Sequence, residues 1–311
     1  MKLGLFLSIF HDRSFDAALD RCVALGLDAV EIATGNYPGD NHCQPERLLA
    51  DRDALAAFAT AVNRRGLTIS ALSQHGNPLH PDRAVAAAAH ATWRITVQLA
   101  AELGVGVVNA FSGCPGDHDS ARRPNWVTCS WPEDYQQTLV WQWDEKVIPY
   151  WTAEAAFAAE HGVTIGIEMH PGFVVYNPAT LIRLRDSCGP AIAANFDPSH
   201  LFWQGIDPRV AIRYLAQHGA LVHVAAKDTQ LIAENVALNG VLETRPAADL
   251  GQRAFLFRTI GFGQSEQVWR DIVSSLRLAG YEGTISIEHE DRLLPPDDGV
   301  EKAVRLLREL I

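Results

Sequence analysis

Short, nearly all-apolar runs alternate along the chain with longer stretches whose apolar residues recur every three or four positions. The short runs are Leu3–Ile9, Ala29–Ala33, Thr68–Ser73, Val107–Phe111, Thr164–Glu168, Ile192–Asp197, Leu221–Ala225 and Thr284–Glu288. Runs this short, with so few polar positions, predict strands buried on both faces of a parallel sheet. The longer stretches predict helices over Phe15–Leu25, Leu48–Arg65, Arg83–Leu103, Glu145–Glu160, Pro178–Asp186, Pro208–Gln217, Glu266–Leu278 and Gly299–Leu310. Ser14 is placed to cap the first helix and Gly26 to end it. Gly66, Gly104, Gly162, Gly219 and Gly280 fall where a helix must stop before the next strand. Eight such units joined by right-handed crossovers predict an α/β fold, a (β/α)8 TIM barrel. An open doubly wound sheet would need a glycine-rich phosphate loop after its first strand, where this chain reads Ser8-Ile9-Phe10-His11.

The chain has 311 residues, whereas a barrel of this kind takes about 250. The excess falls in residues 112–144, after the fourth strand, and 229–263, after the seventh. Both long loops leave the C-terminal ends of strands, the face on which barrels build their sites. No repeat, low-complexity tract or linker interrupts the pattern, so one domain over 1–311 is expected. The net charge of −11 argues against a nucleic-acid surface, which needs clustered Lys and Arg. No apolar run reaches the length of a membrane span, and the apolar start lacks the basic flank of a leader. Cys22, Cys43, Cys114, Cys129 and Cys188 are scattered without a CxxC pair. A reduced, cytoplasmic setting is the expectation.

Polar chemistry gathers where the later strands end. The fifth ends Ile167-Glu168-Met169-His170 and the sixth Phe196-Asp197-Pro198-Ser199-His200. The seventh runs Leu221-Val222-His223-Val224 toward Lys227-Asp228, and the eighth ends Ile287-Glu288-His289-Glu290-Asp291. Glu168, Asp197, His223 and Glu288 thus form a candidate metal site of three carboxylates and one imidazole. That donor set suits Mn²⁺ first and Mg²⁺ or Co²⁺ next, with Zn²⁺ also able to bind.

The segments IEMHPG, NFDPSHLFWQG, VHVAAKD and SIEHED, in this order and at these strand ends, resemble the sugar phosphate isomerase/epimerase family. These are xylose isomerase-like barrels, akin in fold to the type IV endonucleases. The resemblance implies a metal held by Glu168, Asp197, His223 and Glu288, with Glu168 and Glu288 as the acid/base pair. It has departures. Ketose 3-epimerases carry an Arg six residues after the metal His and a Glu six after the first metal Glu. Thr229 and Val174 stand at those positions here. The endonuclease branch, with its trinuclear zinc site and basic DNA face, fits neither the charge nor the single expected metal site.

A divalent ion bound by neighbouring carbonyl and hydroxyl oxygens stabilises the enediolate formed when a proton leaves the adjacent carbon. Return of that proton defines an isomerase or an epimerase acting on a keto-sugar or related polyol. Loss of a β-substituent defines a keto-glycoside lyase or C-glycoside deglycosidase, and an inert sugar-binding barrel is the non-enzymatic reading. His75, His170, His200, Lys227, Trp203 and His118 are the candidate substrate contacts. Aromatic residues dense around the first long loop, from Phe111 to Trp151, would suit a sugar face. A small-molecule sugar is the expected partner, with a homo-oligomer or a second small subunit as candidate protein partners.

Overall fold

The computed structural model describes residues 1–311. Ten strands form: β1 (Lys2–Phe6), β2 (Ala29–Asn36), β3 (Thr68–His75), β4 (Val107–Phe111), β5 (Thr164–Glu168), β6 (Ile192–Phe196), β7 (Leu221–Ala226), β8 (Asp228–Leu231), β9 (Phe255–Arg258) and β10 (Thr284–Ile287). Eight of them close into a parallel barrel in the order β1-β10-β7-β6-β5-β4-β3-β2. The barrel closes where β1 pairs with β10, Leu3 opposite Ile285 and Leu5 opposite Ile287. Helices alternate with the strands on the outside, as the periodicity predicts for a (β/α)8 barrel.

Local signals explain the elements. Ser14 Oγ accepts the Ala17 N–H at the start of helix Phe15–Ala24, as a capping serine should. Gly104 ends the 21-residue helix Arg83–Leu103 in the left-handed conformation that glycine adopts without steric cost. The last helix, Pro296–Leu310, buries Val300, Ala303, Val304 and Leu307. That spacing of three, four and seven makes one apolar stripe, which lies against β1 and β10.

Two departures from the sequence pattern shape the site face. The helix expected over Glu145–Glu160 begins a dozen residues earlier, at Glu133, and passes through a wider π turn at Gln142–Val147. Residues 133–141 bury nothing, so they carry no apolar stripe to read. The π turn aims Gln142 inward, where its amide donates to the carbonyls of Gly116 (2.9 Å) and Asn125 (2.7 Å) and pins the first long loop. The second long loop contains a two-stranded antiparallel ribbon, β8 with β9, outside the barrel sheet.

One apolar cluster of 62 buried residues draws on every barrel strand and the helices around them. Trp93, Trp143, Trp151 and Trp269 are its largest members. No helix is long and apolar enough to cross a membrane.

Candidate active site

A cavity of about 340 Å³ opens at the C-terminal ends of the barrel strands. Its lining includes His75, Phe111, Glu168, His170, Lys227 and Glu288. Seven of the sequence-predicted residues meet in or directly beneath it. Glu168 lies with Oε2 3.0 Å from His75 Nε2 and Oε1 3.3 Å from His200 Nε2. His200 Nε2 is also 3.2 Å from Asp197 Oδ2. Asp197 is placed by its own backbone role, since Oδ1 caps the short helix Pro198–Phe202 by accepting the Ser199 N–H at 2.8 Å. The ring of His170 packs on that of His200 at 3.9 Å between centroids, and its Nδ1 donates to the Pro171 carbonyl.

Lys227 sits at the centre of the acidic residues. Its Nζ is 3.0 Å from Asp197 Oδ2, 3.1 Å from Glu288 Oε2 and 3.0 Å from Glu290 Oε1. The side chain is only 3% exposed. Burial alone would lower the ammonium pKa, but the carboxylates of Asp197, Glu288, Glu290 and Glu168 outweigh it and hold Lys227 well above the ordinary lysine value.

The two glutamates differ in kind. Burial raises Glu288 well above the usual carboxylate range; Lys227 opposes this, and the charges of Glu168 and Asp197 reinforce it. Burial acts the same way on Glu168, but the contacts from His200 and His75, with the charge of Lys227, hold it well below that range. Burial also keeps His170 well below the ordinary histidine value, with the neighbouring His200 adding to the effect.

His223 does not join the carboxylates, which corrects the expected ligand set. Its Nδ1 bonds the side-chain oxygen of Asn195 at 2.9 Å and its Nε2 lies 3.2 Å from Ser70 Oγ. It belongs to a polar layer inside the barrel, below the cavity. There Ser73, Asn109 and Ser286 donate to the buried carboxylate of Glu31. The reason is register. Val224 lies opposite Phe196 and Ala226 opposite Ile287, so Asp197 and Glu288 follow at the heights of Ala225 and Lys227. His223 is too low by about 3.3 Å per residue of strand.

The four-ligand set therefore does not fit an ion, because one ligand faces elsewhere and the Lys227 ammonium lies between two of the others. A different group, Glu168, His170 and His200, brings its ligand atoms within 4.8 Å of one another and could hold a metal ion. His75 Nε2, Asp197 Oδ2 and His200 Nε2 are buried without a well-formed hydrogen bond.

Two other expectations are corrected. His118 stands 63% exposed on the first long loop, 2.6 Å from Asp117, and does not line the cavity. Trp203 is buried, with its ring stacked on Phe255 of the ribbon at 4.6 Å, and supports β9 from beneath. Among the aromatics of the first loop region, Phe111 faces the cavity, Trp131 is exposed, and Trp143 and Trp151 lie in the core. The cavity gains Tyr37, His289 and Glu290. Of these, Glu290 was readable, since it shares the face of Glu288 two residues on. Phe257 of β9 reaches the site edge, 5.4 Å from the His200 ring and 5.0 Å from Lys227 Nζ.

The fold and this strand-end site define a family: residues 19–310 match that of the xylose isomerase-like TIM barrel, and the chain belongs to it. The uncharacterized protein YfiH of Bacillus subtilis (strain 168) is 36% identical over 314 aligned residues, covering 100% of this chain and 99% of that one. Among solved structures, the probable 3-DHS dehydratase AsbF of Bacillus anthracis has a similar fold, with a TM-score of 0.69 at 14% identity over 99% of both chains. The D-psicose 3-epimerase of Clostridium cellulolyticum H10, solved with D-tagatose, gives a TM-score of 0.64 at 14% identity, covering 100% of this chain and 99% of that one.

Proposed function

We propose that this protein is a sugar isomerase or epimerase that moves a proton at a carbon next to a carbonyl. The observation that carries the reading is the pair Glu168 and Glu288. Two carboxyl groups line one cavity, and their surroundings push their proton affinities in opposite directions. Such a pair supplies a base and an acid at the same pH. The 3-epimerase named among the structural relatives agrees in kind.

In this scheme the Glu168 carboxylate takes the proton from carbon. The C–H electron pair becomes the C=C bond of an enediol, and the carbonyl π pair moves onto oxygen. Glu288 returns a proton to the opposite face of the same carbon in an epimerase, or the proton goes to the neighbouring carbon in an isomerase. His75 and His200 flank Glu168 at its two oxygens, and Phe111 offers an apolar wall to the sugar.

The ion expected from the sequence, Mn²⁺ first, has its remaining donors in Glu168, His170 and His200.

The test is deuterium exchange in D2O, followed by NMR over a panel of ketoses and 3-keto-glucosides. Exchange with a new sugar signal supports the reading and identifies the carbon. Exchange with release of an aglycone identifies a lyase instead. Glu168→Gln and Glu288→Gln are each expected to keep the fold and slow exchange by about 10²- to 10⁴-fold, the range of one positioned acid or base. Wild-type exchange by Glu288→Gln removes that residue from the acid role.

A further inference from the structure

The cavity of a barrel that enolises sugars needs a positive charge beside the oxygen that becomes negative. Three carboxylates on β5, β6 and β10 are the residues from which the sequence builds a cation seat. The centre of that seat is filled by a side chain of this same protein. Lys227 Nζ stands 3.0 to 3.1 Å from oxygens of Asp197, Glu288 and Glu290, beside Glu168, with its stem buried. Two of its three N–H groups donate to Glu288 and Glu290, while Asp197 faces it as a charge without a formed hydrogen bond, so one N–H is left for a substrate oxygen. The histidine expected to complete a metal site is committed to Asn195 and Ser70 one layer below.

We infer that the Lys227 ammonium is the built-in cation of this site, seated where the three carboxylates would otherwise hold a divalent ion, and that it receives the enediolate oxygen of the substrate. The first part stands on geometry alone. The second rests on the proton-transfer reading above.

The charge count favours this arrangement. Four acidic residues surround a cavity with one fixed lysine, so removing the lysine leaves buried carboxylates with no cation among them. Such a cluster must recruit a cation or protonate. A divalent ion arriving in the wild-type protein would have to displace an ammonium already seated among three carboxyl groups. Lys227 is also a cation rather than a nucleophile in this setting. An amine must lose its proton before it can attack a carbonyl to form an imine, and the same three carboxylates oppose that loss.

The first experiment uses the metal alone. Chelator-stripped wild type and Lys227→Met are titrated with Mn²⁺, and free Mn²⁺ is read by electron paramagnetic resonance. The variant is expected to take up one Mn²⁺ at least about tenfold more tightly than wild type, a gain of affinity from deleting a side chain. Equal or weaker binding by the variant overturns the assignment. The wild-type titration decides without the variant should Lys227→Met fail to fold. Stoichiometric uptake at micromolar free Mn²⁺ that persists in His170→Gln overturns the built-in cation; no uptake, or uptake lost with His170, upholds it.

A second readout concerns the chemistry of the amine. Borohydride added to the wild-type protein with D-fructose is expected to leave the mass of the Lys227 peptide unchanged, whereas a reduced sugar adduct on Lys227 overturns a fixed-cation role. Neither readout depends on turnover. Failure of every ketose to exchange deuterium would count against the proton-transfer reading while leaving the metal titration intact.

Discussion

His170 shows how one half-buried residue ties the site to the stability of the protein. Its ring is half-buried at the cavity wall, where burial disfavours the charged form, and a second imidazole lies against it. In the folded chain it stays neutral, whereas in the unfolded chain it takes up a proton near pH 6.5. The unfolded state therefore binds more protons below that pH, so stability is full above pH 6.5 and falls as the solution is acidified. Denaturant midpoints measured between pH 7.5 and 5.5 are expected to decline. His170→Gln, which cannot titrate, should flatten the decline by up to about 1.4 kcal/mol per pH unit. An unchanged slope would mean that the ring is already protonated in the native protein.

The residues of the site were legible in type more than in height. Glu168, Asp197 and Glu288 end their strands, and the rule that a charged residue closing an apolar run faces the barrel mouth finds all three. Applied to β7, the same rule selects Lys227, because the apolar run continues through Ala225 and Ala226. His223 drew attention as a better ligand type, but it sits inside the strand and faces the layer of Glu31 and Asn109. Chemical suitability and register disagree there, and register decides which side chain reaches the cavity.

At the scale of elements, the barrel strands were readable because each is a short apolar run, buried on both faces. The ribbon was not. β8 and β9 are four residues each, mix polar with apolar positions, and are separated by more than twenty residues. What makes them an element is Asp228. Its carboxylate accepts from the backbone N–H groups of Thr229, Gly261, Gly263 and Gln264 and from the Trp269 indole. Gly263 is required at this turn, since a Cβ there would stand 2.5 Å from the Thr229 carbonyl carbon. Asp228→Ala would leave these donors without their acceptor, and each buried donor so stranded costs about 1–3 kcal/mol. Limited proteolysis should then cut within 229–263 before the barrel is cut. Equal resistance of the variant and wild-type ribbons would show that the stacking of Trp203 on Phe255 holds β9 by itself.

At the scale of the whole molecule, the barrel and its polar mouth answer to separate parts of the sequence. The apolar cluster joins all eight barrel strands, while the residues of the cavity come from strand ends and from the segments that follow them. The alternation of apolar runs therefore specifies the barrel however the mouth is furnished. This is why the fold could be read with more detail than the reaction, and why solved structures at 14% identity share the architecture over nearly their whole length.

One pair of neighbours links the two parts. Lys227 points into the cavity and Asp228, the next residue, gathers the turn that roots the ribbon. Phe257 on the ribbon's far strand lies over the same ammonium. The cation and the ribbon are thus joined by one peptide unit on one side and by a ring face on the other, a closed mechanical loop. A ligand that draws the ammonium toward itself must load this loop. Occupancy of the cavity should then register at a distance, as slower backbone amide exchange across 228–231 and 255–258. Exchange there that ignores a bound sugar would mean that the cation moves without the ribbon.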